Sequence, residues 1–234
     1  MIIHHKFESL GSADHGWLKA KHHFSFAKYH DPNKMSFGEL LVINDDRIAP
    51  NSGFGMHPHN DMEIITFVKT GAISHEDNQG NKGKTLAGNI QVMSAGTGII
   101  HSEYNHEEKE TTLYQIWISP KTKGIKPRWD SGEFPKKFST DKLKLLVSGF
   151  NDAPLKINQD ARIYTGKFDK KNLINHHING QAYLLISKGS VNINSINALS
   201  GDGIAIKDEE RICIEASQDT ELLLIEIPGL IEAR

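Results

Sequence analysis

Short apolar segments recur along the whole chain, and most of them alternate apolar with polar positions. Alternation with a period of two is typical of β-strands that bury one face. Gly, Asn, Asp and Pro separate the segments at intervals of roughly 8–12 residues, and helical periodicity is rare. The pattern predicts an all-β protein built from barrels or sandwiches. The predicted strands lie in GELLVIND, EIITFVKTG, GNIQVMSAG, TLYQIWISP, LKLLVSG, ARIYTGKF, QAYLLISKG, GIAIKD, RICIEA and ELLLIEIP.

One polar segment interrupts this pattern. Residues 119–140, SPKTKGIKPRWDSGEFPKKFST, contain three prolines and no regular alternation. Their basic residues could form a binding patch, but a solvated connection is the commoner role for such a composition. We therefore predict an N-terminal barrel over residues 1–120, a linker over 121–140 and a C-terminal barrel over 141–234.

The spacing of key residues suggests an internal duplication. His59 lies twelve residues before Gly71, and His177 lies twelve residues before Gly189. Farther along each half, LAGNIQVM is similar in pattern to LSGDGIAI. Both halves therefore follow one order of strands and glycine turns, which predicts two barrels of the same type.

Composition excludes several classes of protein. The 234 residues are 38% hydrophobic and 24% charged with a net charge of −2, which gives no reason to expect a nucleic acid or an anionic membrane as partner. No apolar run approaches the roughly 18 residues of a membrane helix, and MIIHHKFESLG does not have the pattern of a signal peptide. Cys213 is the single cysteine, which excludes an internal disulfide. We expect a cytoplasmic protein, with this thiol buried in the apolar run RICIEA.

Two pairs of polar residues carry the candidate chemistry. His57 and His59 stand two apart, as do His101 and Glu103 in IIHSEYN, so each pair projects from one face of a strand. If the two strands are neighbours, the four side chains can converge on one divalent transition ion, such as Fe(II), Mn(II), Ni(II), Cu(II), Co(II) or Zn(II). Four ligands on an octahedral ion leave two positions open for catalysis. The alternative interpretation is a polar cavity without a metal.

Other polar residues have less specific interpretations. Glu63 shares the strand parity of His57 and His59, so it either orients a ligand imidazole or faces away if the strand is irregular. Residues 75–84, HEDNQGNKGK, read as a hairpin loop. Gln115 lines the cavity if its strand turns the odd-numbered positions inward. Four histidines near the N-terminus are expected to be solvated: His4, His5, His22 and His23.

The same motifs carry a family resemblance. GMHPHNDMEIITFVKTG resembles the first cupin motif and GNIQVMSAGTGIIHSEYN the second, except that Ser94 replaces the usual proline and the loop SAGTGIIH is two residues longer. Together with LYQIWISP and the opening segment ADHGWLKAKHHFSFAKYHDP, they resemble the pirin family over most of residues 10–120. The C-terminal half resembles it only in outline.

This resemblance implies a bicupin fold of two tandem cupin-type (jelly-roll) β-barrels. It also implies one mononuclear metal site in the N-terminal barrel, usually iron, with three histidines and one glutamate as ligands. By motif position these are His57, His59, His101 and Glu103. In pirins the glutamate two residues after the third histidine is the ligand, which favours Glu103 over Glu63.

The second barrel lacks this set of ligands. Counting along the repeat places Asn175, His177, Ile214 and Ala216 at the corresponding positions, with His176 as a further candidate. One or two ligands hold a divalent ion poorly, so we expect this barrel to be structural or to provide a partner surface.

Two functions follow from the resemblance. The first is a quercetin 2,3-dioxygenase-like enzyme that opens flavonols with O2 and accepts aromatic or enediol chelating substrates, with Glu103 as the base. The second is a non-enzymatic, redox-sensitive regulatory module that binds a protein partner. A sugar-isomerase type of cupin is less compatible with the HSE motif and the longer loop.

Overall fold

A computed structural model describes residues 1–133 and 141–229 of the chain. In these ranges the regular structure is β, apart from a short 3₁₀ turn over Phe7–Ser9. The prediction of an all-β protein is therefore confirmed. Within the described ranges, none of the helical structure is long and apolar enough to cross a membrane.

The described residues divide into two compact units. The N-terminal unit comprises residues 11–133 and 155–159. It contains a seven-stranded antiparallel sheet in the order β12-β9-β6-β11-β4-β3-β2 and a four-stranded sheet in the order β5-β10-β7-β8. Its strands are β2 (Gly11–Asp14), β3 (Leu18–His22), β4 (Leu40–Ile48), β5 (Ser52–His59), β6 (Glu63–Thr70), β7 (Ala72–Asp77), β8 (Lys82–Leu86), β9 (Ile90–Ser94), β10 (Ile99–Asn105), β11 (Thr111–Ile118), β12 (Arg128–Gly132) and β14 (Leu155–Lys156).

The C-terminal unit repeats this architecture. It comprises residues 1–10, 141–154 and 160–229, so the first strand of the chain belongs to it. One sheet runs β1-β20-β17-β22-β15-β13 and the other β16-β21-β18-β19. Its strands are β1 (Ile2–His5), β13 (Lys144–Ser148), β15 (Arg162–Phe168), β16 (Leu173–His177), β17 (Gln181–Lys188), β18 (Ser190–Ile193), β19 (Ile196–Leu199), β20 (Gly203–Ile206), β21 (Arg211–Ala216) and β22 (Thr220–Ile227).

The two units differ in what fills their interiors. In the C-terminal unit, sixteen buried apolar residues form one continuous cluster that includes Ile174, Ile214 and Leu224. In the N-terminal unit, one apolar cluster forms around Ile48 and Leu113, and a separate one forms around Ile64 and Met93. Buried polar residues also occupy this interior: Thr66, Gln91, Glu103 and Gln115. The polar part of the N-terminal interior is where the candidate site lies.

The segment predicted as a linker, residues 121–140, is partly regular. Residues 128–132 form β12, which pairs with β9 of the N-terminal unit, and residues 134–140 lie outside the described ranges. The first ten residues group with the C-terminal unit rather than with residues 11–120. The predicted domain bounds of 1–120 and 141–234 stay a prediction.

Two expectations about exposure were wrong. Cys213 is exposed, because Ile212 and Ile214 on either side of it occupy the inward positions of β21. His22 and His23 are buried rather than solvated. The hairpin predicted at 75–84 is present, but its loop is shorter than expected, because β7 and β8 leave only a four-residue connection between them.

Candidate metal centre

Three histidines converge inside the N-terminal unit. The ring centroids of His57 and His101 lie 4.4 Å apart, and that of His59 lies 4.9 Å from His57 and 5.1 Å from His101. One nitrogen from each ring lies within 4.8 Å of the other two, a spacing that could hold a metal ion. β5 and β10 are neighbours in the four-stranded sheet, so the two sequence pairs do face one another.

An irregularity in β5 shapes this arrangement. His57 is opposite His101 in the ladder, but the next aligned pair is Phe54 with Glu103, so β5 carries one extra residue at the bulge. Because of that residue, Phe54 and His57 line the same cavity although they stand three apart. Gly53 lies beside the bulge, where an added Cβ would come within 2.3 Å of the Glu103 carbonyl oxygen.

The hydrogen bonds of two rings leave the nitrogen that a metal requires. His57 Nδ1 lies 2.7 Å from the Gly55 carbonyl oxygen and must donate to it, so its Nε2 keeps the lone pair. His101 Nε2 is buried and has no hydrogen-bond partner among the described residues. Imidazole nitrogens in this state are suitable ligands for a divalent transition ion. The residues present therefore fit such an ion.

Burial keeps the rings of His59 and His101 neutral. Burial, followed by the positive forms of His101 and His57, lowers the pKa of His59 to about 4. Burial, followed by His57 and His75, lowers the pKa of His101 to about 3. Both rings are therefore neutral at pH 7, and each keeps one nitrogen lone pair for a metal.

Glu103 is buried beside the three histidines but is not part of their 4.8 Å group. Its Oε1 accepts hydrogen bonds from Gln91 Nε2 at 2.7 Å and Thr66 Oγ1 at 2.9 Å, and its Oε2 accepts one from Gln115 Nε2 at 2.6 Å. Each carboxylate oxygen has two lone pairs, so Oε2 retains one for a further partner. The role of Glu103 as a fourth ligand stays a prediction.

Glu63 faces away from the histidines. Its Oε2 accepts hydrogen bonds from Ser94 Oγ at 2.7 Å and from the Asn158 backbone at 3.0 Å. Three residues separate β5 from β6, so the odd-numbered inward positions of β5 do not continue into β6. Thr66 therefore faces the site in place of Glu63. Burial raises the pKa of Glu63 despite those hydrogen bonds. Ser94, which replaces the usual cupin proline, thus serves this separate carboxyl group.

A cavity of about 210 Å³ opens onto the site. This volume is below the roughly 300–1,000 Å³ of typical ligand pockets, so it suits a small aromatic molecule or one end of a larger one. Gln115 lines it together with Trp117, as predicted. Asp46 is the one lining residue with a buried carboxyl oxygen that has no hydrogen-bond partner in the described part of the chain. The apolar lining is provided by Ala13, Leu18, Ala20, Phe26, Ala27, Phe54 and Trp117.

The C-terminal unit has isoleucine in the corresponding place. Ile174 pairs with Ile214 as His57 pairs with His101, and both isoleucines are fully buried. The inward histidine of β16 is His176, whose Nε2 lies 2.8 Å from Glu226 Oε1, whereas His177 is exposed. The predicted correspondence with Asn175 and His177 was therefore wrong by one residue, while Ile214 and Ala216 lie where the repeat places them.

Some site residues were not identified from the sequence. His75 and Asp77 lie behind His101, and their spacing of two within an alternating strand was the available signal. Asp46 follows Asp45, the last residue of GELLVIND. The carboxyl group of Asp46 faces inward and that of Asp45 faces outward, where it pairs with Lys69, and only alternation distinguishes the two in the sequence. His22, which hydrogen-bonds Asn44 at 2.7 Å, gave no signal.

Comparisons with known proteins agree on one family. The Pirin family profile matches residues 4–118, and the Quercetinase C-terminal cupin domain profile matches residues 145–227. A pirin-like protein of Caulobacter vibrioides is 50% identical over 97% of this chain and 99% of its own. Quercetin 2,3-dioxygenase of Escherichia coli is 45% identical over 97% of this chain and 99% of its own.

Solved structures extend the agreement to three dimensions. YhhW from Escherichia coli, also solved as a bacterial pirin in complex with nickel(II), is similar to this chain. One YhhW structure has a TM-score of 0.92 at 43% identity, covering 98% of this chain and 99% of its own. The nickel(II) complex has a TM-score of 0.89 at 44% identity, covering 98% of this chain and 100% of its own. The expected bicupin fold is confirmed, and the chain belongs to the pirin family of the cupin superfamily.

Proposed function

We propose that the protein is a metal-dependent dioxygenase that opens flavonols such as quercetin with O2. One divalent transition ion, with Fe(II) as the first candidate, would be held by His57, His59, His101 and Glu103. The observation that supports this proposal is the buried, unpartnered Nε2 of His101 within a cluster of three imidazoles beside an apolar cavity. The name of the Escherichia coli relative and the nickel complex of YhhW support it further.

The bound ion would act as a Lewis acid that acidifies the substrate hydroxyl group and holds it close to O2. The protein would orient the substrate ring against Trp117, whose own ring packs edge-on to His59 at 5.0 Å, and against Phe54. The apolar lining of the cavity would exclude water from the reacting groups.

Two carboxyl groups would handle hydroxyl protons. Glu103 would accept the acidified proton on Oε2, the oxygen that receives a single hydrogen bond. The same lone pair would serve as the metal ligand, so proton transfer requires the carboxylate to be free of the ion. Asp46 Oδ1 would bind a second hydroxyl group of the substrate, because nothing in the described part of the protein satisfies it.

The first test is the metal content and quercetin turnover of the purified protein in air. We expect stoichiometric metal and loss of the flavonol in the native protein, with both absent in His101→Ala. His177→Ala is the matched control, because His177 is exposed on the other unit and should change neither quantity. Glu103→Gln should lower turnover at least tenfold, whereas Glu63→Gln should not.

The outcomes separate the two candidate functions. Bound metal without turnover of quercetin or related catechols would contradict the dioxygenase and favour a redox-sensitive regulatory module. Absence of metal from the native protein, even after incubation with Fe(II) or Ni(II), would contradict both.

A further inference from the structure

His101, His75 and Asp77 form a hydrogen-bonded series of side chains, in which His75 and Asp77 lie behind His101 and do not line the cavity. His101 Nδ1 lies 3.4 Å from His75 Nδ1, and His75 Nε2 lies 2.9 Å from Asp77 Oδ2. We propose that His75 and Asp77 are positioning residues that fix the proton of His101 on Nδ1 and so present its Nε2 lone pair to the metal. This inference rests on the proposed function, since it assumes that the ion binds at Nε2.

The proton positions follow from which atoms can only accept. An ionised Asp77 has no proton to give, so His75 Nε2 must donate to it. With its single ring proton on Nε2, His75 has a lone pair on Nδ1, which accepts from the Nδ1–H of His101. His101 Nε2 is left with its lone pair and, within the described residues, with no competing partner. The three side chains thus select one tautomer of the ligand.

Asp77, the last member of this hydrogen-bonded series, is held in place by three further hydrogen bonds. Asp77 Oδ1 accepts from the backbone N–H groups of Gln79 at 2.9 Å and Asn81 at 3.0 Å, and Oδ2 also accepts from the Asn81 side chain at 2.9 Å. Burial alone would raise the pKa of Asp77, but the hydrogen bonds from His75, Asn81 and Gln79 outweigh it and lower the pKa. Asp77 therefore remains ionised, as the tautomer argument requires.

His75, the middle member of the series, is fixed by stacking against Trp129. The ring of His75 lies 4.8 Å from that of Trp129 at an interplanar angle of 10°. Trp129 reaches this position because Gly83 has no side chain, and a Cβ there would lie 2.2 Å from the indole ring. The side chains of His75 and Asp77 are 1% and 0% exposed, so water does not compete for their hydrogen bonds.

The arrangement distinguishes His101 from His57. His57 Nδ1 donates to a neutral backbone carbonyl, whereas His101 Nδ1 donates to an imidazole that is itself bonded to a carboxylate. A carboxylate in this position makes a ligand imidazole more basic. We therefore expect the loss of either His75 or Asp77 to weaken the bond from His101 to the ion.

The first test needs neither metal nor variant. In the ¹⁵N-labelled, metal-free protein, the ring nitrogen shifts of each histidine report which nitrogen carries the proton. We expect His101 to be protonated at Nδ1 and His75 at Nε2. The opposite tautomer of His101, or rapid exchange between both forms, would overturn the proposal.

Variants test the consequence for metal binding, with Ni(II) titrated against a competing chelator. His75→Phe keeps a ring against Trp129 but removes the acceptor, and should weaken Ni(II) binding about 10–100-fold. His75→Asn places an amide oxygen near the position of Nδ1 and should restore most of the affinity. Asp77→Asn should weaken binding as well, because its amide would favour the wrong tautomer of His75.

Asp202→Asn is the matched control, because Asp202 forms a similar pair with His4 at 2.7 Å in the other unit. Its Ni(II) affinity should equal that of the native protein. Equal affinities of the native protein and His75→Phe would overturn this inference while leaving the proposed function intact. A native protein that binds no Ni(II) would overturn the proposed function as well.

Discussion

Single residues give the site two different buried carboxyl groups. Glu103 receives hydrogen bonds from Thr66, Gln91 and Gln115, whereas Asp46 Oδ1 receives none from the described residues. Burial, followed by the nearby charges of Asp45 and Glu103, raises the pKa of Asp46 to about 8. Asp46 is therefore mostly a neutral acid at pH 7, which suits a group that binds a substrate hydroxyl.

This raised pKa makes the stability of the metal-free protein depend on pH. Between the ordinary aspartate pKa of 3.8 and about 8, folded Asp46 keeps its proton while the unfolded chain releases it. The contribution of Asp46 is fully present below pH 3.8 and is lost as pH rises towards 8. Asp46→Asn should remove up to about 1.4 kcal/mol per pH unit from this slope, measured by denaturant unfolding from pH 4 to 8.

The exposed Asp130 provides the control for this measurement. Asp130→Asn controls for the substitution itself, and the change in slope for Asp46→Asn is measured relative to it. An Asp46→Asn protein with the same slope as the native protein would show that Asp46 is already ionised at neutral pH.

At the level of elements, alternation predicted β10 better than β5. Ile99, His101, Glu103 and Asn105 all face inward, as a strict period of two requires. β5 departs from that period at its bulge. The two glycines and the proline of SGFGMHPH are compatible with a bulge, but they do not fix the position of the extra residue. The four candidate ligands could therefore be identified from the sequence, but the placement of Phe54 beside them could not.

The bulge depends on the close approach of β5 to β10 at Gly53. Gly53→Ala should push the strands apart, since its Cβ would lie 2.3 Å from the Glu103 carbonyl oxygen. We expect a loss of about 1–3 kcal/mol in the free energy of unfolding, typical of overpacking, together with weaker metal binding. Gly55→Ala is the matched control on the same strand, because its Cβ would meet nothing within 4 Å. Similar stability and metal affinity for the two variants would contradict this role of Gly53.

For the molecule as a whole, the duplication was predictable but its register was not. Ile174 and His176 take the inward positions of β16. Four residues separate His176 from the start of β17, whereas three residues separate His59 from the start of β6. A shift of one residue moves every side chain of a strand to the other face, and a count from the glycine turns cannot detect it. The positions of Ile214 and Ala216 were predicted correctly, because they lie in the other strand of the pair.

The aromatic rings around the histidines have an optical consequence. Trp117 lies 5.0 Å from His59, Trp129 lies 4.8 Å from His75, and Trp17 lies 5.1 Å from Phe54. These are the three tryptophans of the chain, so its entire indole fluorescence originates around this one centre. An open-shell ion such as Ni(II) should quench that fluorescence on binding, whereas Zn(II), which has a filled d shell, should not. Intrinsic tryptophan fluorescence should therefore report the occupancy of the metal site without any added dye.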